Sequence, residues 1–218
     1  MFLENKYFKF NGLNLSIETL EGLLKHNGPV DDTVLVNKLI GIKTFKNKIN
    51  FSTYPSLEAQ ISAISDDIAY NNHDIQDGIN ANLFKLEELV EIDFFKSIYL
   101  KYKNKINKKN YKIATYQIIR DSIDIMIRDL LTNTQKNLKN LKIKTINDIA
   151  KSDQLIVCFS NKIQNSEREI KSFLRSRMYN NKLVLRKNQR GKFIIKKLFA
   201  IIKSNPRKFL TKDQLTKD

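Results

Sequence analysis

Residues 56–84 read SLEAQISAISDDIAYNNHDIQDGINANLF. Leu57, Ile61, Ile64, Ile68, Ile75 and Ile79 recur at three-, four- and seven-residue intervals, the spacing of one apolar face on an α-helix. Pro55-Ser56 opens the segment, and the period predicts one long helix. Asp66, Tyr70, Asp74 and Asp77 fall at i, i+4, i+8 and i+11 on that helix, so they share a second stripe. Three carboxylates in one row repel one another unless a cation or a donor-rich ligand lies between them. The alternative is a solvated acidic face. The neighbours favour the first reading. They are small or apolar (Ala63, Ala69), and the stripe carries a tyrosine instead of the lysines used elsewhere.

Upstream, Ser16 is placed to cap a helix carrying Ile17, Leu20, Leu23 and Leu24, which Asn27-Gly28-Pro29 stops. Val34, Leu35, Leu39 and Ile40 suggest one more short helix, and residues 43–54 a loop with an extended piece. Downstream, Leu86–Leu100 and Asn110–Thr134 are expected to be helices, with the lysine-rich stretch between them as an exposed turn. Leu155–Phe159 is an apolar run without helical period, a strand or a buried link. Ser166–Asn180 and Gly191–Lys203 are the last expected helices, ended by Pro206. No repeat or interdomain linker is visible. The expected class is all-α, with residues 1–218 as a single helical domain.

Composition agrees and excludes several classes. The chain has 218 residues, three Pro and six Gly, few for a loop-rich β-sandwich. Hydrophobic residues make up 41%, too many for intrinsic disorder. One cysteine, Cys158, forbids an internal disulfide framework, and two histidines leave little for a His-rich metal site. Cys158 lies in an apolar run and reads as a small buried hydrophobe. No run approaches the ~18 apolar residues of a membrane span, and MFLENKYFKF has no signal-peptide core. A soluble, cytoplasmic protein without membrane partners is expected. Thirty-nine Lys and Arg against 23 Asp and Glu give a net charge of +16. The basic residues cluster at 101–112, 136–144 and 182–208. Such patches suit weak, salt-sensitive nucleic-acid binding or nucleotide phosphates. A Lys-, Asn- and Ile-rich codon bias with solvated faces is the plainer alternative.

The 56–84 string resembles the signature helix of the dGTPase-like deoxynucleoside triphosphate triphosphohydrolases of the HD superfamily. Further matches are Gly12-Leu13-Asn14-Leu15, Thr19-Leu20-Glu21-Gly22-Leu23, Lys25-His26-Asn27-Gly28-Pro29, Arg120 through Asp129, and Phe173-Leu174-Arg175-Ser176-Arg177-Met178-Tyr179. The resemblance runs from about residue 7 to about residue 205. It implies a helical HD-superfamily fold, residues 110–205 forming the family's C-terminal helical region. It also implies a divalent metal, Mg or Mn, held by a His, a His-Asp pair and a final Asp. That metal polarises the α-phosphate and activates water to release deoxynucleoside and triphosphate. By motif position Asp66 is the final metal-ligand Asp, with Asp67 as the fallback. Tyr70 packs against the sugar and phosphates, and Asp74 accepts the sugar 3′-hydroxyl. Lys25 and Arg120 are candidate phosphate contacts. The literal His73-Asp74 pair could be an HD-type half-site only if the fold brought a second histidine such as His26 near it.

Two departures bear on activity. The family's first His and its His-Asp pair lie upstream of the Gly-Leu-Asn-Leu block, here at residue 12, and its Tyr-Ile-Ala-Gly-Met-Thr-Asp run has no counterpart after Pro206. The expectation is therefore a central and C-terminal part, truncated at both ends, inactive alone and unable to hold the metal stably. A missing N-terminal half or a homo-oligomer would complete the site for a dNTP substrate. The alternative is a non-catalytic nucleotide- or nucleic-acid-binding helical module, or the remnant of a split gene.

Overall fold

The computed structural model describes residues 15–31 and 49–211. The expected helix at Val34–Ile40, the Gly12-Leu13-Asn14 part of the first motif and residues 43–48 lie outside them. Every regular element among the described residues is helical, as the all-α reading requires. No helix among them is long and apolar enough to cross a membrane.

Helix α1 spans Ile17–Lys25, and the Ser16 hydroxyl accepts the Thr19 N–H at 3.3 Å as its cap. The chain leaves it through Gly28, whose φ of 111° is open to glycine and not to a side chain. Helix α2 spans Leu57–Asn80 without a break, and Ser56 accepts the Ala59 N–H. It ends where Asn82 turns left-handed at φ 54°, with Leu83 N–H donating to the Gly78 carbonyl at 2.9 Å.

Leu86–Leu100 does not form the single helix expected. Leu86–Glu91 is a 3₁₀ segment, Ile92 is extended, and α3 begins at Asp93 and runs to Tyr102. At the start of the 3₁₀ segment the Glu88 carboxylate accepts the Lys85 N–H at 2.7 Å, a capping box. Helix α4, Tyr111–Asn140, continues past Thr134, and a short α5, Ile146–Ala150, follows. Leu155–Phe159 is a buried link, with no strand among the described residues. Helix α6 spans Asn161–Leu174, and a π-turn covers Arg175–Tyr179, closed by Asn180 N–H to the Arg175 carbonyl at 3.0 Å. Helix α7 spans Lys182–Ser204, starting before the expected Gly191, and α8 is Pro206–Phe209.

Helices α2, α3, α4 and α6 pack on one another. Ile68, Ile75 and Ile79 of α2 meet Phe84, Leu86, Ile118, Met126, Ile170 and Phe173 in the core cluster. Each large side chain so buried contributes about 1.5–3 kcal/mol. Ile61, expected on this face, is half exposed. Two polar side chains tie the link between α5 and α6 in place. Gln60 Oε1 accepts both the Ile156 and Val157 N–H groups at 3.0 Å, while its Nε2 donates to the Pro55 carbonyl at 2.9 Å. Asp129 accepts the Ser160 N–H and hydroxyl at 2.8 and 2.6 Å, capping α6 from α4.

Gly78 is set by contact. A Cβ there would lie 2.3 Å from the Phe84 ring, which is itself held edge-on against Phe173 at 5.0 Å. Gly78→Ala should therefore destabilise by about 1–3 kcal/mol through overpacking. An unhindered helical glycine would give the opposite sign, about 1 kcal/mol of stabilisation. The urea unfolding midpoint decides between them.

Candidate functional site: the outward face of α2

Because α2 buries Ile68, Asn71, Asn72, Ile75 and Ile79, the opposite side of the same helix faces outward. Asp66, Tyr70, His73, Asp74 and Asp77 are on that side. Asp66, Tyr70, His73 and Asp77 are exposed, and Asp74 is half-buried. Tyr70 is 62% exposed, a large aromatic left in solvent.

The α6 end and the π-turn brace this side of the helix. Tyr179 donates its phenolic hydrogen to Asp74 Oδ2. Burial pushes the Tyr179 phenol up first, and the bond to Asp74 and that carboxylate's charge add to it, to about 12. Lys171 reaches Asp67 at 3.4 Å and Glu167 at 2.5 Å. Burial draws the Lys171 ammonium down, but the two carboxylates outweigh it and leave its pKa raised. Arg177 donates to both Glu91 oxygens at 2.8 and 3.1 Å, reaches Glu88 at 3.4 Å, and lies over the Phe173 ring. The π-turn is thereby fixed to the 3₁₀ segment, and Tyr179 is held against Asp74.

Asp66 borders a cleft of about 1360 Å³ between α1, residues 50–59 and the 143–150 stretch. His26 lines the same cleft; Tyr70 and Asp74 do not. The His26 ring is engaged locally, Nδ1 lying 2.9 Å from the Leu23 carbonyl and Nε2 3.0 Å from Asn27 Nδ2. No group of three His, Cys, Asp or Glu side chains able to hold a metal ion occurs among the described residues. By themselves they do not fit a divalent ion, which takes several oxygen or nitrogen ligands.

Lys25 is not poised for a phosphate. It is fully buried, and its three N–H bonds go to Glu21 Oε1 at 2.6 Å, the Asn50 carbonyl at 2.9 Å and Thr53 Oγ1 at 2.8 Å. The ammonium latches α1 to the segment leading into α2. Arg120 is exposed on the side of α4 turned away from the core, the side that also exposes Ile113, Ile127 and Leu131. The structure does not join it to Asp66, Tyr70 or Asp74. Cys158 is half-buried beneath two side-chain amides, Asn137 Nδ2 at 3.3 Å and Asn133 Nδ2 at 3.6 Å. Sequence reasoning missed Tyr179 as Asp74's partner. The block Phe173–Tyr179 was visible, but nothing local pairs residues 105 positions apart.

The comparisons with known proteins fit this architecture. Residues 157–217 match a family described as a phosphohydrolase-associated domain. A deoxyguanosinetriphosphate triphosphohydrolase-like protein of Pelagibacter ubique (strain HTCC1062) is 63% identical over 218 residues, covering all of this chain and 59% of that protein. Proteins of the same name from Bartonella henselae and Rickettsia felis are 36% and 35% identical over 208 and 199 residues, or 52% and 51% of their own lengths. Over nearly its whole length the chain is thus similar to proteins named deoxyguanosinetriphosphate triphosphohydrolase-like, and its C-terminal part to the phosphohydrolase-associated family. It spans about half the length of the curated relatives it matches. A non-catalytic binding module gains no support from these relatives.

The Asp74–Tyr179 bond has a measurable signature. Absorbance titration at 295 nm should show one phenol ionising near pH 12 that Tyr179→Phe removes. Asp74→Asn should lower that midpoint only part of the way to the ordinary 10.0, because burial is the larger cause. The folded pKa is raised, so the stabilisation is complete below pH 10 and is lost as pH rises toward 12. Denaturation midpoints of the wild type and Tyr179→Phe should converge over that interval.

Proposed function

We propose that this chain supplies the deoxynucleoside-binding side of a dNTP triphosphohydrolase site, and that its described residues form one helical domain scaffolding the signature helix α2. The observation that carries the reading is the continuity of α2, which presents Asp66, Tyr70 and Asp74 on one outward face while its other face is committed to the core. In this reading the Tyr70 ring packs on the deoxyribose. Asp74 Oδ1 accepts the 3′-hydroxyl, while Tyr179 occupies Oδ2 and fixes the carboxylate's orientation. Asp66 offers its carboxylate to the family's divalent metal. The His and His-Asp ligands come from the part of the family's length that this chain does not span. Lys25 acts on the site indirectly, by holding α1 against residues 50–53.

Substituting this chain for the matching 59% of the Pelagibacter relative tests the assignment. The chimera should release triphosphate from dNTPs in the presence of Mg²⁺ or Mn²⁺. Asp66→Asn should lower turnover at least about 100-fold, the scale set by loss of a metal-site group. Tyr70→Ala and Asp74→Ala should raise KM, and Arg120→Ala should leave both constants near the parent values. A chimera whose turnover survives Asp66→Asn would contradict the metal role. Insensitivity to Tyr70→Ala and Asp74→Ala would contradict the sugar face.

A further inference from the structure

The last long helix, α7, is built unlike the rest of the molecule. Between Ile170 and Thr211 the chain carries thirteen Lys and Arg and no Asp or Glu. No residue of α7 is buried. Among the described residues its main packing partners are the π-turn before it and α8 after it. Along its C-terminal half, Ile194, Ile195, Leu198, Phe199, Ile201 and Ile202 fall on one side at helical spacing. All but the partly covered Ile202 are roughly half to two-thirds exposed. Lys192, Lys196, Lys197 and Lys203 take the other side and its margins, with Lys197 folded over the Phe193 ring at 4.8 Å.

We propose that α7 binds anionic lipid surfaces, lying in the headgroup layer with its Ile194–Ile202 face at the acyl boundary and its lysines among the headgroups. The occupant must be both apolar and anionic. A second α7 offers an apolar face but brings another carboxylate-free cationic helix against the first. Single-stranded nucleic acid offers phosphates but no layer that would take up a row of isoleucine and leucine. An anionic bilayer interface offers both, and lysine stems of this length reach past the apolar face to its phosphates. The helix is not apolar enough to span, so it lies on the surface. This inference is independent of the nucleotide-binding reading.

The chain contains no tryptophan, so Phe199→Trp in the 218-residue protein is a single reporter of that face. With phosphatidylglycerol–phosphatidylcholine vesicles its emission should shift to the blue and be quenched by brominated acyl chains. Pure phosphatidylcholine should do neither, and added salt should reverse the effect. Adding Leu198→Glu should weaken vesicle binding at least about tenfold, the scale of one lost leucine burial. Replacing Lys192, Lys196, Lys197 and Lys203 with Gln should weaken it by at least as much. Because α7 buries nothing in the core, unchanged far-ultraviolet circular dichroism checks that both variants keep the fold. Sedimentation with vesicles without an emission shift, unaffected by Leu198→Glu and matched by a single-stranded oligonucleotide, would overturn the proposal in favour of plain polyanion attraction. Emission already blue without lipid, with a dimeric mass, would overturn it in favour of a second copy covering the face.

Discussion

Helix α2 has two sides that cannot exchange. Ile68, Ile75 and Ile79 fill one side, and Gly78 permits the Phe84 ring to close on it without room for a methyl group. Rotating the helix by even one residue position, about 100°, would drive Asp67 or Asp74 into this core and leave isoleucines in water. The cost of burying an unpaired carboxylate far exceeds the gain from any rearranged contact. The outward direction of Asp66, Tyr70 and Asp74 is therefore a consequence of core packing. Core side chains thereby aim the candidate site residues.

Around that constraint, a few polar side chains join distant segments. Gln60 on α2 receives the backbone of the 155–159 link, and Asp129 on α4 receives the start of α6. Together they settle where α6 and its π-turn sit, and the π-turn delivers Tyr179 to Asp74. Arg177 holds the same turn from the other side through Glu88 and Glu91. Gln60 is buried and Asp129 half-buried, so losing either leaves backbone N–H partners unsatisfied and costs more than the bond alone suggests. The α2 face is organised by long-range ties even though Asp66, Tyr70 and Asp74 come from one short stretch of sequence.

That difference explains what could be read in advance. The α2 helix, the Ser16 cap and the Gly28 stop are local signals, and the four-residue spacing of Asp66, Tyr70 and Asp74 holds on any helix that includes all three. The break at Ile92 is hidden in the sequence because the apolar period runs through it. Lys25 looked like a phosphate ligand because its burial depends on Asn50 and Thr53, which only the tertiary structure brings to it. Arg120 shares its helix with core residues but points the other way. Tyr179 could be seen as part of a family block, but its partner could not be inferred without the fold.

Charge follows the same division. Carboxylates crowd α2 and the 3₁₀ segment, while the last forty residues described carry only cations. On the proposed reading Asp66 contributes one carboxylate to the metal, and no group of three His, Cys, Asp or Glu able to hold an ion occurs among the described residues. The most direct test is anomalous diffraction from crystals of the chimeric enzyme grown with Mn²⁺ and a non-hydrolysable dNTP. The account predicts a manganese peak about 2.0–2.5 Å from an Asp66 carboxylate oxygen, with the deoxyribose between Tyr70 and Asp74. A peak elsewhere, with Asp66 turned to solvent and the sugar away from α2, would contradict it.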